Sequence, residues 1–196
     1  MTAGQAGQGG RIPSGRFREL GLINWILAKS AARKVHAPEM HLFTTLGQNK
    51  FLFLVWSIYS GRVLRGRLPA IDTELVILRV AHLRACEYEL QHHRRMAAEQ
   101  GLDADLQAAI FAWPERLDRV EARLTVRQQA LLAATDEFVK DRTITDATWQ
   151  QLAQHLDRRQ LIEFCLLASQ YDGLAATMSA LAIPLDNPRQ TGPAQR

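Results

Sequence analysis

Residues 74–102 read ELVILRVAHLRACEYELQHHRRMAAEQGL. In the first half, Leu75, Leu78, Ala81 and His82 recur at helical spacing and trace one face. The breaker Leu68-Pro69-Ala70 precedes it, and Asp72 or Thr73 is expected to cap it. A second helix, CEYELQHHRRMAAEQ, begins after only the Arg84-Ala85 link and stops at Gly101, a natural left-handed terminator. So short a link folds the second helix back along the first.

The same periodicity runs outward in both directions. Phe17, Leu20, Ile23 or Asn24, and Leu27 mark a short amphipathic helix. A single helix is expected from His41 to Leu64, starting after Pro38. Beyond Gly101, helices are expected over 103–112, 125–140, 145–155 and 158–182. Thr125 with Gln128 suits a capping box, and Thr145 with Thr148 suits one less well. Pro184 and Pro188 end the last helix. No segment alternates with period two, and no hairpin turn signal stands between apolar runs. The expectation is an all-α, single-domain helical bundle over residues 11–186. Disordered tails are expected at 1–10 and 187–196.

Composition narrows the function. The two cysteines, Cys86 and Cys165, are too few for a disulfide framework. The most apolar run, FLFLVWSIY from Phe51 to Tyr59, is much shorter than the ~20 residues of a membrane span. The start, MTAGQAGQGG, lacks the basic and apolar parts of a signal peptide, so the expected location is cytoplasmic with no membrane partner. The net charge of +4 sits in the flanks, where residues 1–40 and 189–196 hold eight Lys or Arg against two acids. A nucleic-acid protein would carry a basic stripe on its folded core, so no nucleic-acid partner is expected.

Chemistry concentrates at the helix junction. Cys86 stands at a helix start, where the partial positive charge favours a thiolate. Glu89 and His93 lie three and seven residues on, on the same face. An imidazole can take a thiol proton, and a carboxylate can orient the imidazole. Glu74, at the start of the preceding helix, folds back over this group. Cys86, His93, Glu74 and Glu89 are therefore the candidate catalytic residues, and Tyr88 and His92 are assigned to the substrate pocket. Glu89-Leu90-Gln91-His92 is a lone Glu-x-x-His, where a di-iron bundle needs two and two further Glu, so neither metal nor cofactor is expected. His82, Cys165, Trp56, Tyr59 and Trp149 read as core or pocket wall.

The stretch from Glu74 to Leu102 resembles the core motif of the carboxymuconolactone decarboxylase family, which includes the alkyl hydroperoxide reductase D-like proteins. In its redox members a Glu is followed, after eleven residues, by Cys-x-x-Cys, three residues and His. Here those places hold Glu74, Cys86, Glu89 and His93, so three of four match and Glu89 replaces the second cysteine. The softer likeness extends over roughly 11–186, and Tyr171-Asp172 falls where the family packs near its site. The resemblance implies an alkylhydroperoxidase-like fold and a peroxiredoxin-type oxidoreductase with antioxidant activity. With the single site thiol Cys86, such an enzyme needs an external thiol reductant. A lyase using Glu74, Glu89 and His93 on a small organic acid or lactone is the alternative. A non-catalytic binding protein with a relic site is the third. The resemblance also implies a homo-oligomer.

Overall fold

The computed structural model describes residues 10–115 and 124–187. Every regular element among them is a helix, so the chain is all-α. The residues 1–9 and 188–196, which contain nearly all of both expected tails as well as Pro188, lie outside the described residues. Two compact units form. One comprises residues up to Ser57 together with those from Thr177 onward, and the other comprises Ile58–Ala176.

In the first unit, α1 (Phe17–Lys34) breaks at Gly21, whose φ of 72° is left-handed. It is followed by α2 (His41–Leu46) and by the first half of α3 (Lys50–Leu64). The single helix expected over 41–64 is therefore two. The reason lies in α1: the Asn24 side chain donates to the carbonyls of Gly47 and Lys50, at 3.0 and 3.1 Å, and draws them out of one continuous ladder. A Cβ at Gly47 would meet Leu20 Cδ2 and the Phe43 carbonyl at 2.6 Å, so only glycine fits this close approach. Phe43 packs edge-on against Phe53 and Trp56, and Phe53 stacks on Trp56.

The second unit holds α4 (Ala70–Leu83), α5 (Glu87–Glu99), α6 (Ala104–Ala112), α7 (Val126–Asp141), α8 (Asp146–Ala153) and most of α9 (Arg158–Leu181). At its centre is α4, which is buried on every side from Asp72 to Ala81 and packs on α5, α6 and α7. Leu75, Val76, Ile77, Leu78 and Val80 are wholly inaccessible. Each contributes roughly 1.5–3 kcal/mol of burial. The helix starts earlier than expected. Pro69, with its fixed φ, precedes the first turn, so Asp72 and Thr73 lie inside α4 and do not cap it. Asp72 instead receives Arg127 Nε at 2.7 Å.

An all-round apolar helix carrying a buried Arg79 needs every guanidinium proton satisfied. Arg79 forks onto Asp136 of α7 at 2.5 and 2.7 Å. Its remaining donors reach the carbonyls of Ile110, Phe111 and Trp113. One buried cation thus fixes the C-terminal end of α6 and the middle of α7 on α4. Capping follows the sequence where the residues allow it: Thr125 and Gln128 form the reciprocal box, and Thr145 accepts from the Thr148 N–H. No helix among the described residues is long and apolar enough to cross a membrane.

Candidate active site at the junction of two helices

The turn from α4 to α5 is built by backbone alone. The Cys86 N–H donates to Ala81 O at 2.8 Å and the Ala85 N–H to His82 O at 3.0 Å. This is the paired closure of a Schellman terminator, and its left-handed position is Ala85, with φ of 48°. The sharp turn leaves Cys86 as the N-terminal flank of α5. It also sets α5 back along α4.

That return brings Glu74 and His93 together. His93 Nδ1 lies 2.8 Å from Glu74 Oε2, with both side chains buried. An acceptor carboxylate at Nδ1 selects the tautomer with Nδ1–H, leaving Nε2 as the basic nitrogen. The other ring neighbour comes from α9: Tyr171 stands edge-on to His93, with centroids 5.2 Å apart. Tyr171 is itself buried, and burial followed by the charges of Glu89 and Glu74 raises its phenol pKa well above the ordinary value.

Glu89 is only 3% exposed, and neither of its carboxyl oxygens has a hydrogen-bond partner. Burial pushes its pKa well above the usual carboxylate range, and the nearby charge of Asp172 pushes the same way. Asp172 is the residue that sequence reasoning left without a role. It is buried on α9 and ion-paired to both Arg84 and Arg142.

Cys86 is buried at the start of α5. Its thiol pKa is raised to about 11, first by burial and then by Glu89, and the N–H groups of Glu89 and Tyr88 only partly oppose this. The helix start therefore does not make an acidic thiol here. The two residues assigned to the substrate pocket sit together: Tyr88 and His92 are buried and their rings meet edge-on at 5.3 Å.

Other readings need correction. His82 is exposed and stacks on Phe111 with centroids 4.9 Å apart, because the last turn of α4 emerges at the surface. Tyr59 and Trp149 are exposed, while Cys165 and Trp56 are half-buried. Among the described residues no cluster of three or more His, Cys, Asp or Glu is arranged to hold a metal.

Comparison with known proteins bears on this helix pair directly. Residues 52–136 match the model of the carboxymuconolactone decarboxylase family. This segment belongs to that family. It spans α4, α5 and α6 and most of α7, and so includes the Glu74–His93 pair, Cys86 and Glu89. The fold is that of alkylhydroperoxidase D-like proteins. The chain is similar to the alkylhydroperoxidase AhpD core of an uncharacterized peroxidase-related protein from Ralstonia eutropha JMP134, with a TM-score of 0.76. Sequence identity is 13%, over 91% of this chain and 93% of that one. A peroxidase-related protein from Silicibacter sp. TM1040 aligns over 98% of both chains at 16% identity and a TM-score of 0.66. A putative antioxidant defence protein AhpD from Agrobacterium tumefaciens aligns over 74% of this chain and 92% of its own, at 16% identity and a TM-score of 0.60. At these identities the likeness is one of fold. No curated protein sequence matches the chain.

Proposed function

We propose that the site performs acid/base chemistry on a small, uncharged carbonyl compound such as a lactone, with Glu89 as general acid and His93, oriented by Glu74, as general base. The observation that carries this is the Glu89 carboxyl, which is buried, without a partner and held above its ordinary pKa. A buried carboxyl whose pKa is raised holds its proton more tightly than an ordinary one and can give it to a substrate oxygen or carbon. His93 Nε2 takes a proton from the substrate, and the Glu74 carboxylate stabilises the imidazolium that results. The proton count closes when the two residues return to their starting states through the product or water. A neutral substrate fits because the nearby cations Arg84 and Arg142 are already paired to Asp172.

The competing reading is a single-thiol peroxidase. The likeness of fold to peroxidase-related proteins supports it, as does the place of Cys86 at a helix start. Against it stands the thiol pKa of about 11. A panel of lactones and simple ketones incubated in deuterated water separates the two. Deuterium uptake or lactone isomerisation, followed by NMR, is expected with the native protein and with Cys86→Ala. It should fall by about 10²-fold or more in Glu89→Gln and His93→Gln. Loss of turnover in Cys86→Ala, with rapid peroxide consumption by the native protein, would sink the acid/base reading.

A further inference from the structure

The basic charge of the chain gathers in α1 and its approach. Residues 11–34 hold six Lys or Arg against Glu19 alone, and the acid/base site uses none of them. Within the first unit, α1, the segment before it and the chain leading into α2 enclose a cleft of about 370 Å³. That volume is within the range of small-molecule sites.

The cleft has a cause in the sequence. The buried stripe of α1 is Leu20, Asn24, Ala28 and Ala32, so its second half presents two alanines where close packing asks for larger side chains. Both alanines line the cleft. Gly21 stands at φ 72° and ψ 171°, a region open essentially to glycine alone. Across this break Phe17 meets Trp25 edge-on, with centroids 5.8 Å apart, and both rings line the cleft. The segment before α1 is pinned in place. The Gly15 N–H donates to Thr44 O at 2.8 Å, and Gln48 Nε2 donates to Pro13 O at 2.9 Å. Arg16 and Lys29 are exposed at the rim, and Glu39 is the carboxylate in the lining. Glu39 is already engaged: Oε1 accepts from Thr44 Oγ1 at 2.7 Å, and Oε2 lies 3.9 Å from His41 Nε2. Lys29 has no ion-pair partner among the described residues.

We propose that this cleft binds a small amphipathic carboxylate, with its apolar body against Phe17, Trp25 and Ala32 and its charged end at Lys29 and Arg16. The aromatic rings and the alanine floor take up the body by apolar area, and the excess positive charge of the rim selects the sign of the polar end. The site shares no residue with the acid/base site and stands independently of that reading.

The test uses the full chain and a matched pair of probes, 4-phenylbutyrate and its neutral amide, in isothermal titration calorimetry. The acid is expected to bind about fivefold or more tightly than the amide, and added salt should narrow the difference by screening the rim. Lys29→Glu, at an exposed position, should weaken the acid about fivefold or more and leave the amide unchanged. Ala32→Leu fills the cleft and should weaken both. Of the four tryptophans, Trp25 is the one that lines the cleft, so the acid should change tryptophan fluorescence in the native protein and not in Trp25→Phe. Circular dichroism checks each fold, and Lys29→Glu with Trp25→Phe decides the matter if Ala32→Leu does not fold. No heat with the native protein, as when a second copy fills the cleft, overturns the proposal. Equal binding of acid and amide, an unchanged acid affinity in Lys29→Glu, or a fluorescence response that survives Trp25→Phe overturns it as well.

Discussion

At the scale of single residues, the site turns on what replaces a thiol. Glu74, Cys86 and His93 keep the spacing seen in redox relatives of the motif, and the sequence alone brings them to one helix junction. The protonation of Cys86 was not legible. A helix start lowers a thiol pKa and a carboxylate three residues on raises it, and from spacing these look similar in size. Burial breaks the tie, and burial is a property of the packed chain. With a pKa of about 11, roughly one Cys86 in ten thousand is a thiolate at pH 7. Alkylation of Cys86 by iodoacetamide, read by mass spectrometry, is therefore expected to be slow at pH 7. It should rise about tenfold per pH unit on the way to alkaline pH. Fast labelling at pH 7 would contradict this. Glu89→Cys removes the buried carboxyl beside the thiol and restores Cys-x-x-Cys. In that variant the attacking thiolate is oxidised to a sulfenic acid as the peroxide O–O bond breaks and an alcohol leaves. The second thiol then displaces water to form the disulfide, which an added dithiol reduces. Gain of dithiol-dependent peroxidase activity over the native protein is the expected result.

At the scale of elements, helix starts were easier to read than helix ends. Thr125, Gln128 and Thr145 advertise their caps because a side-chain oxygen must stand at a fixed offset from the first turn. Gly101 advertises its left-handed stop, with φ of 97°. The same paired backbone closure also occurs at His36, Ala85 and Ala182, all at positive φ and none of them glycine. No composition signal marks those three, since tertiary packing imposes the turn. The break inside 41–64 was hidden for a similar reason, because Asn24 causes it from another helix. Holding alanine in the left-handed region costs about 1–2 kcal/mol, part of which returns as unfolded-state entropy when glycine replaces it. Ala85→Gly is therefore expected to raise unfolding free energy by roughly 0.5–1 kcal/mol in urea titrations, with the slope unchanged. A loss of stability would mean that the Ala85 methyl packs in a way its φ does not reveal.

At the scale of the whole molecule, what remains unexplained by the folded chain is apolar surface. The all-α class follows from periodicity, but periodicity does not say which apolar faces stay uncovered. On α3, Phe51, Leu52, Val55 and Ile58 are exposed by 78, 61, 48 and 62% and follow one another at spacings of one, three and three residues. Isolated exposed leucines are ordinary, whereas a contiguous stripe of this size marks an interface. Burying each of the four contributes roughly 1.5–3 kcal/mol, while association costs on the order of 4–15 kcal/mol. In a symmetric dimer the stripe counts once from each protomer, which tips the balance toward association. We therefore expect light scattering to give a multiple of the 22.1 kDa protomer mass at micromolar concentration. Phe51→Glu with Leu52→Glu places two charges on the stripe, both at positions already open to solvent in the single chain. The pair should return the protein to 22.1 kDa without loss of helical circular dichroism. A native protein that stays at the protomer mass, or a double variant that keeps the native assembly, would show that α3 is not the face through which copies meet.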